Sequence, residues 1–234
     1  DHHVGAGFGQ CDCGRCADAA SRTGDDCDAA VEFEAIENHG RTLASPVMSD
    51  VVKGDDGVRR CRWGASTPDY ASYHDDEWGR PVVDDTRLYE KLCLEGFQSG
   101  LAWITILRKR ENFRRAFKGF DAAKVARFTE RDIERLLGDA GIVRHRGKIE
   151  ATIANARAVK TASAEYGSLA ALLWSYSPTG RRRAPRTYAD VPASTDESKA
   201  CSKELLRLGF RFVGPTTVYA AMQSVGIVND HFVG

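Results

Sequence analysis

The chain has 234 residues, enough for one sizeable core or for one domain with a tail. With 42% hydrophobic and 28% charged residues it has an ordinary globular composition. No apolar run approaches the roughly 20 residues a spanning helix needs and no secretory h-region opens it, so a membrane is excluded as partner and a cytoplasmic location is expected. The formal net charge of zero is an average: residues 1–55 hold eleven acidic and four basic side chains, which leaves a net of +7 on residues 56–234. A basic domain of this size attracts polyanions over about a Debye length, ~8 Å, without requiring one. The seven cysteines are odd in number and their spacing suggests no disulfide framework; Cys93 and Cys201 fall in helical apolar patterns and read as buried thiols.

Residues 1–58 lack sustained apolar periodicity, apart from a weak helical stretch at Ala29–Ile36, and read as an acidic, disordered or atypical extension. Their Cys11, Cys13, Cys16 and Cys27, with His2 and His3, are metal-ligand types, but C-x-C-x2-C fits no common structural zinc motif. From residue 59 the punctuation changes to that of a folded domain. The spacing predicts a helix at Thr86–Phe97 capped by Asp84 or Asp85, and another at Leu101–Phe117 with Ile104, Leu107 and Phe113 inward. Thr129 to Asp132 resembles a capping box opening a helix with Ile133, Leu136 and Leu137. A long helix over Gly147–Tyr166 and a short one over Ser168–Tyr176 follow. Gly180–Val191 reads as a basic loop. Ser194 or Thr195 caps a helix that Gly209 stops, and Pro215 opens the last one. Strand alternation is missing, which predicts an all-α domain over 59–234.

Three features carry chemistry. The segment from Ile133 through Gly141 to Lys148 is a helix–hairpin–helix candidate, in which backbone N–H groups of a helix start face a phosphate beside Arg144, Arg146 and Lys148. On these residues alone a plain connection with a solvated basic face is the simpler reading. Trp63, Tyr70, Tyr73, Trp78 and Trp103 surround Glu77 and Glu95 in sequence. A pocket for an extruded purine needs aromatic faces and a few polar groups. A cationic base would gain a further ~0.5–2 kcal/mol from the rings, and a buried carboxylate would add charge-assisted hydrogen bonds. The same aromatics could equally be core. Cys61, His74 and His231 are three ligand types suited to tetrahedral zinc, which takes four when structural.

The strings CRWGASTPDYASYHDDEWGRP, LCLEGFQSGLAWITILRKRENFRRAF, DAGIVRHRGKIEATIANA and FVGPTTVYAAMQSVGIVNDH, in this order from Cys61 to the end, resemble the bacterial 3-methyladenine DNA glycosylase I family. The resemblance implies a divergent all-α helix–hairpin–helix glycosylase fold whose zinc joins the N- and C-terminal parts of the domain. Cys61, His74 and His231 match three of its ligands, and the fourth would fall at position 235, after Gly234. It implies that Glu95 reads the amino edge of 3-methyladenine, that Tyr73 and Trp103 enclose the base with Trp63, Tyr70 and Trp78 nearby, and that Leu101 is the wedge filling the gap in the duplex. Gly141, Arg144, Arg146, Gly147 and Lys148 become the phosphate anchor. The implied partner is double-stranded DNA bearing alkylated adenine, acted on by a monomer, with 3-methylguanine as a second candidate base. Methylation at N3 makes the purine cationic, so it leaves with little protonation, through an oxocarbenium-like sugar, and water completes an abasic site. No Asp follows the hairpin at a suitable position, so Glu95 is expected mainly to recognise the base, with an electrostatic role. Two alternatives differ from this monofunctional hydrolase: a glycosylase/lyase using Lys148 as amine nucleophile, and a non-catalytic zinc-stabilised module that binds damaged DNA.

Overall fold

The structure, a computed structural model, describes residues 50–180 and 183–233. Expectations for the first 49 residues, including the Ala29–Ile36 helix and the Cys11, Cys13, Cys16 and Cys27 cluster, lie outside the described residues.

The first described element corrects the all-α expectation. β1 (Val51–Lys53) pairs antiparallel with β2 (Arg59–Cys61), with Val51 opposite Cys61. Gly57, at φ +78°, turns the hairpin, and Asp56 Oδ1 accepts from the Val58 amide at 3.0 Å. Three-residue strands are too short to show alternation in sequence. The hairpin also straddles the 58/59 boundary expected above.

The rest is helical. α1 spans Pro68–Asp76, α2 Asp85–Gln98, α3 Trp103–Ala116, α4 Ala122–Val125 and α5 Glu130–Leu137. α6 spans Arg146–Tyr166, α7 Leu169–Trp174, α8 Asp196–Arg207 and α9 Pro215–Ser224. Local chemistry explains the starts: Asp84 caps α2, Thr129 and Asp132 form a reciprocal capping box on α5, Thr195 caps α8, and Pro215 sits in the first turn of α9. α1 was not expected, although its signal was present. Thr67 accepts from the Tyr70 amide at 3.2 Å and Pro68 follows at the first helical position. Only Tyr73 and His74 of α1 are buried, so it has no broad apolar stripe to find.

α2 is the axis of the domain, packed by α3, α6, α7 and α9. Leu88 through Phe97 are all buried, so the helix has no wet face over its centre. Asp85, at its start, reaches across 84 residues of chain to accept from the amides of Leu169 and Ala170 at 3.0 and 2.8 Å, capping α7. Cys93 and Cys201 are buried thiols, as expected. No helix among the described residues is long and apolar enough to cross a membrane.

The C-terminal segment docks on the loop after α1. Val82 N–H donates to Val225 O at 3.0 Å, and Trp174 Nε1 donates to Val82 O at 2.8 Å. Gly226, at φ +78°, lies so close that a Cβ would come within 2.7 Å of the Arg80 carbonyl carbon and of Pro81 N. These neighbours are backbone and cannot swing away. Gly226→Ala combines a left-handed backbone, costing ~1–3 kcal/mol, with that overlap. It is expected to lower stability by about 3 kcal/mol or more, read as a shifted urea midpoint with unchanged slope.

Candidate functional site

Tyr73 from α1, Glu95 from α2 and Trp103 at the start of α3 converge inside the domain. All three are buried, and the Tyr73 and Trp103 rings lie 5.4 Å apart at a 44° tilt. Trp63 continues the aromatic wall, 6.2 Å from Tyr73 and 5.6 Å edge-on from Tyr70. The Tyr70 hydroxyl accepts from the Ile104 amide at 3.0 Å, which fixes the first turn of α3 and so the place of Trp103. One polar group here is unsatisfied: Trp103 Nε1 is buried without a hydrogen-bond partner. The Glu95 side chain is buried as well and accepts no hydrogen bond among the described residues. Buried polar groups are otherwise paired almost without exception, so the orphaned indole N–H marks a place where a ligand's polar edge would fit.

A further residue, Lys91, belongs to this cluster and was not singled out in the sequence. Its buried ammonium donates to the Tyr73 hydroxyl at 2.7 Å and lies 4.5 Å from the Tyr73 ring centroid and 5.0 Å from that of Trp103. A lysine in an apolar helical pattern reads as solvated; only the full burial of α2 turns it inward. Burial pushes the Glu95 carboxyl above the usual carboxylate range, and the Lys91 charge partly offsets this. Burial also holds Tyr73 well above the ordinary phenol value, with Glu95 and Glu77 adding to it, so its hydroxyl stays protonated.

Glu77, the other carboxylate of the aromatic cluster, is committed elsewhere. Arg110 grips it in a bidentate pair at 2.6 and 2.7 Å. Burial pushes the Glu77 carboxyl up, but the Arg110 pair outweighs it and leaves the group below its ordinary value.

Leu101 sits where the sequence placed the wedge, in the turn between α2 and α3. It is 39% exposed, next to Gly100 at φ +80°, and Gln98 Nε2 donates to its carbonyl at 3.0 Å. The hairpin between α5 and α6 is held from α3: Lys109 donates to Ala140 O at 2.8 Å and Asn112 to Gly141 O at 3.1 Å. Gly141 is required there, since a Cβ would come within 2.8 Å of Asp139 Oδ1 and 3.2 Å of Asn112. His145 caps α6, its Nδ1 accepting from the Lys148 amide at 3.3 Å, beside Gly147 in the first turn.

The cations of the hairpin differ from expectation. Lys148 is buried, and its ammonium donates to Phe97 O at 2.9 Å and Ser99 O at 2.6 Å, closing the end of α2 rather than facing a phosphate. Arg146 is exposed and pairs with three glutamates at the surface, Glu130 at 2.5 Å, Glu134, and Glu150 at 3.6 Å. Arg144 alone of the three is exposed and without a partner among the described residues. Beside this hairpin stands Phe212, 40% exposed and at φ +55°, an unusual backbone for a bulky residue. Asn155 holds it there by bonding both the amide and the carbonyl of Arg211, at 2.7 and 3.1 Å.

Cys61, His74 and His231 line one open cleft of about 410 Å³. His74 is oriented by Asp75 at 2.9 Å on Nδ1 while its Nε2 accepts from the Cys61 amide at 3.4 Å, and His231 is oriented by Asn229 at 2.8 Å on Nδ1. The two imidazoles are 5.1 Å apart, Trp78 packs on both, and the Phe232 amide donates to Cys61 Sγ at 3.4 Å. Gly79 makes room, since a Cβ there would meet His231 at 2.6 Å. One thiol and two oriented imidazoles fit zinc by donor chemistry. No group of three or more such donors among the described residues is arranged to hold a metal, however. Burial pushes the Cys61 thiol up and the His231 imidazole down, which keeps both neutral in the absence of a cation.

Comparison with known proteins places these features in a family. A family model described as methyladenine glycosylase matches residues 63–234. The chain is 48% identical over 178 residues to DNA-3-methyladenine glycosylase 1 of Escherichia coli (strain K12), covering 76% of this chain and 95% of that protein. A crystal structure of a 3-methyladenine DNA glycosylase I superposes with a TM-score of 0.72 at 46% identity, over 75% of this chain and 97% of the other. The Staphylococcus aureus enzyme, whose structure describes recognition of 3-methyladenine, superposes at 0.70 with 36% identity, over 74% and 93%. The chain belongs to the methyladenine glycosylase family.

Proposed function

We propose that this chain is a monofunctional DNA-repair glycosylase that extrudes 3-methyladenine from alkylated double-stranded DNA and hydrolyses its N-glycosidic bond, leaving an abasic site. The observation that carries this is the buried set of Tyr73, Trp103 and Glu95, with an orphaned indole N–H and a carboxylate without a hydrogen bond. Aromatic faces accept any base, but the carboxylate prefers one that is cationic and offers N–H donors. N3-methylated adenine does both. Its charge is neutralised as it leaves, so the reaction needs stabilisation of an oxocarbenium-like sugar and access of water more than a strong acid.

In this reading Leu101 enters the gap left by the extruded nucleotide, and the α5–α6 turn is a helix–hairpin–helix phosphate anchor. Ahead of the Lys148 amide that His145 caps, the amides of Arg146 and Gly147 are of the kind a helix start leaves unpaired. Arg144 supplies the free charge, while Arg146 and Lys148 hold the turn together. A monomer suffices for all of this. The lyase alternative would require a free Lys148 amine; burial lowers its pKa, but its nitrogen is held by the Phe97 and Ser99 carbonyls.

Release of free 3-methyladenine from methylated DNA is the expected result; binding of abasic-site DNA with no base released would favour a non-catalytic module. Glu95→Gln is expected to lower excision about tenfold or more, on the scale of ~1.5–3 kcal/mol for a hydrogen bond to a charged group. Undiminished excision would remove Glu95 from the site. Borohydride is expected to trap no covalent enzyme–DNA adduct, and an adduct lost in Lys148→Ala would reinstate the lyase.

Cys61, His74 and His231 are further proposed as three ligands of a structural zinc that ties the β-hairpin and α1 to the C-terminal segment. The metal would neutralise a thiolate and fix both imidazoles. Metal analysis is expected to find one zinc per chain, and chelation to lower the melting temperature by several degrees. A folded, active sample without zinc would show the tie to be dispensable.

A further inference from the structure

Lys91 and Glu95 are four residues apart on α2, so their side chains leave the helix on the same face, and both are buried. An ammonium in this position is costly, since an apolar side chain would fill the same space without desolvating a charge. Its contacts are those of the pocket itself: the Tyr73 hydroxyl at 2.7 Å and the rings of Tyr73 and Trp103 at 4.5 and 5.0 Å. Resting on the reading of this pocket as the base site, we propose that Lys91 is its internal counter-cation, a positioning residue that keeps Glu95 as a carboxylate and the Tyr73 hydroxyl in place.

The charges around Lys91 leave this pairing as the remainder. On α2 itself Glu90 is closed by Arg114 at 2.8 Å. From the end of α1 comes Glu77, and from α3 comes Arg110, and these two close on each other at 2.6 Å. α9 presents Val218, Ala221 and Met222, with Val225 just after it, and α7 presents Leu173, none of which titrates. Once those pairs cancel, Lys91 is the uncompensated cation and Glu95 the uncompensated anion. Burial drives each toward its neutral form and the attraction between them drives each back. A cationic base entering the site thus meets a carboxyl held nearer its ionised form than burial alone would leave it.

The test is the pH dependence of 3-methyladenine excision from methylated DNA, from pH 5.5 to 9.5. Removing the cation in Lys91→Met leaves Glu95 buried alone, so the acid limb is expected to move up by about one pH unit or more. Activity at pH 7 falls about tenfold, while activity at the alkaline end recovers to within about threefold of the unaltered chain. Lys91→Arg is expected to keep the limb where it was. A limb unmoved in Lys91→Met, or a loss of the same factor at every pH, overturns the proposal. Carboxyl 13C NMR on the unaltered chain, with Glu95→Gln assigning the signal, decides without relying on Lys91→Met to fold. A Glu95 carboxyl that is ionised by pH 8 is expected, and one still protonated at pH 9 overturns the proposal. If the unaltered chain releases no base, the reading of the pocket fails instead, and the titration still judges Lys91.

Discussion

The constraint on which this domain depends is the complete burial of the middle of α2. A helix enclosed on every side from Leu88 to Phe97 must find internal partners for whatever polar groups it carries. It carries three charges there, Glu90, Lys91 and Glu95, and each is resolved differently. Glu90 is matched by Arg114. Lys91 is matched by a phenol and two aromatic faces. Glu95 is left without a hydrogen bond among the described residues, buried on the same helix as Lys91. The neighbours arrange themselves around it: α1 delivers Tyr73, Tyr70 holds the start of α3 so that Trp103 faces the same space, and α6 sends Lys148 to close the end of α2.

The same logic separates residues that shape the site from those that face a ligand. Glu77 and Arg110 are chemically able to bind a base or a phosphate, yet each is consumed by the other. Arg146 and Lys148 are likewise consumed, one by glutamates and one by carbonyls. The positive charge counted along the hairpin is therefore largely internal scaffolding. What it builds is a turn whose backbone is gripped by Lys109 and Asn112, with Arg144 the exposed arginine that has no partner among the described residues.

Most helices were legible because their signals are local. Caps at Asp84, Thr129 and Thr195 and the stop at Gly209 depend on neighbours within a few residues, and the structure has them as expected. α1 and the β-hairpin were not legible, one because it buries only two side chains and the other because three residues show no period. Within the site, residue type and order nominated only an aromatic cluster around Glu77 and Glu95; the family resemblance singled out Tyr73, Glu95 and Trp103. The fate of each charge was not readable, since partners such as Arg110 and Glu77, 33 positions apart, meet only in the fold. Lys91 escaped notice for the same reason. Lysine in a helix is solvated by default, and only the packing of α3 and α9 over α2 overrides that default.

A pocket built this way suits a substrate that is already activated. A neutral base would gain stacking from Tyr73 and Trp103 but would leave Glu95 and the Trp103 N–H badly matched, and unmatched buried polar groups cost more than matched ones return. A cationic purine with N–H donors satisfies the carboxylate and stacks more strongly on the same rings. Discrimination therefore comes from the charge that methylation itself creates, and the chemistry that follows draws on the same charge, because a cationic leaving group departs with its electrons more readily than a neutral one. Among the described residues the pocket holds no group placed as a strong acid, with Tyr73 protonated and held by Lys91. In the proposed reading recognition and activation are one property of the substrate, its positive charge, which Glu95 and the rings of Tyr73 and Trp103 would sense together.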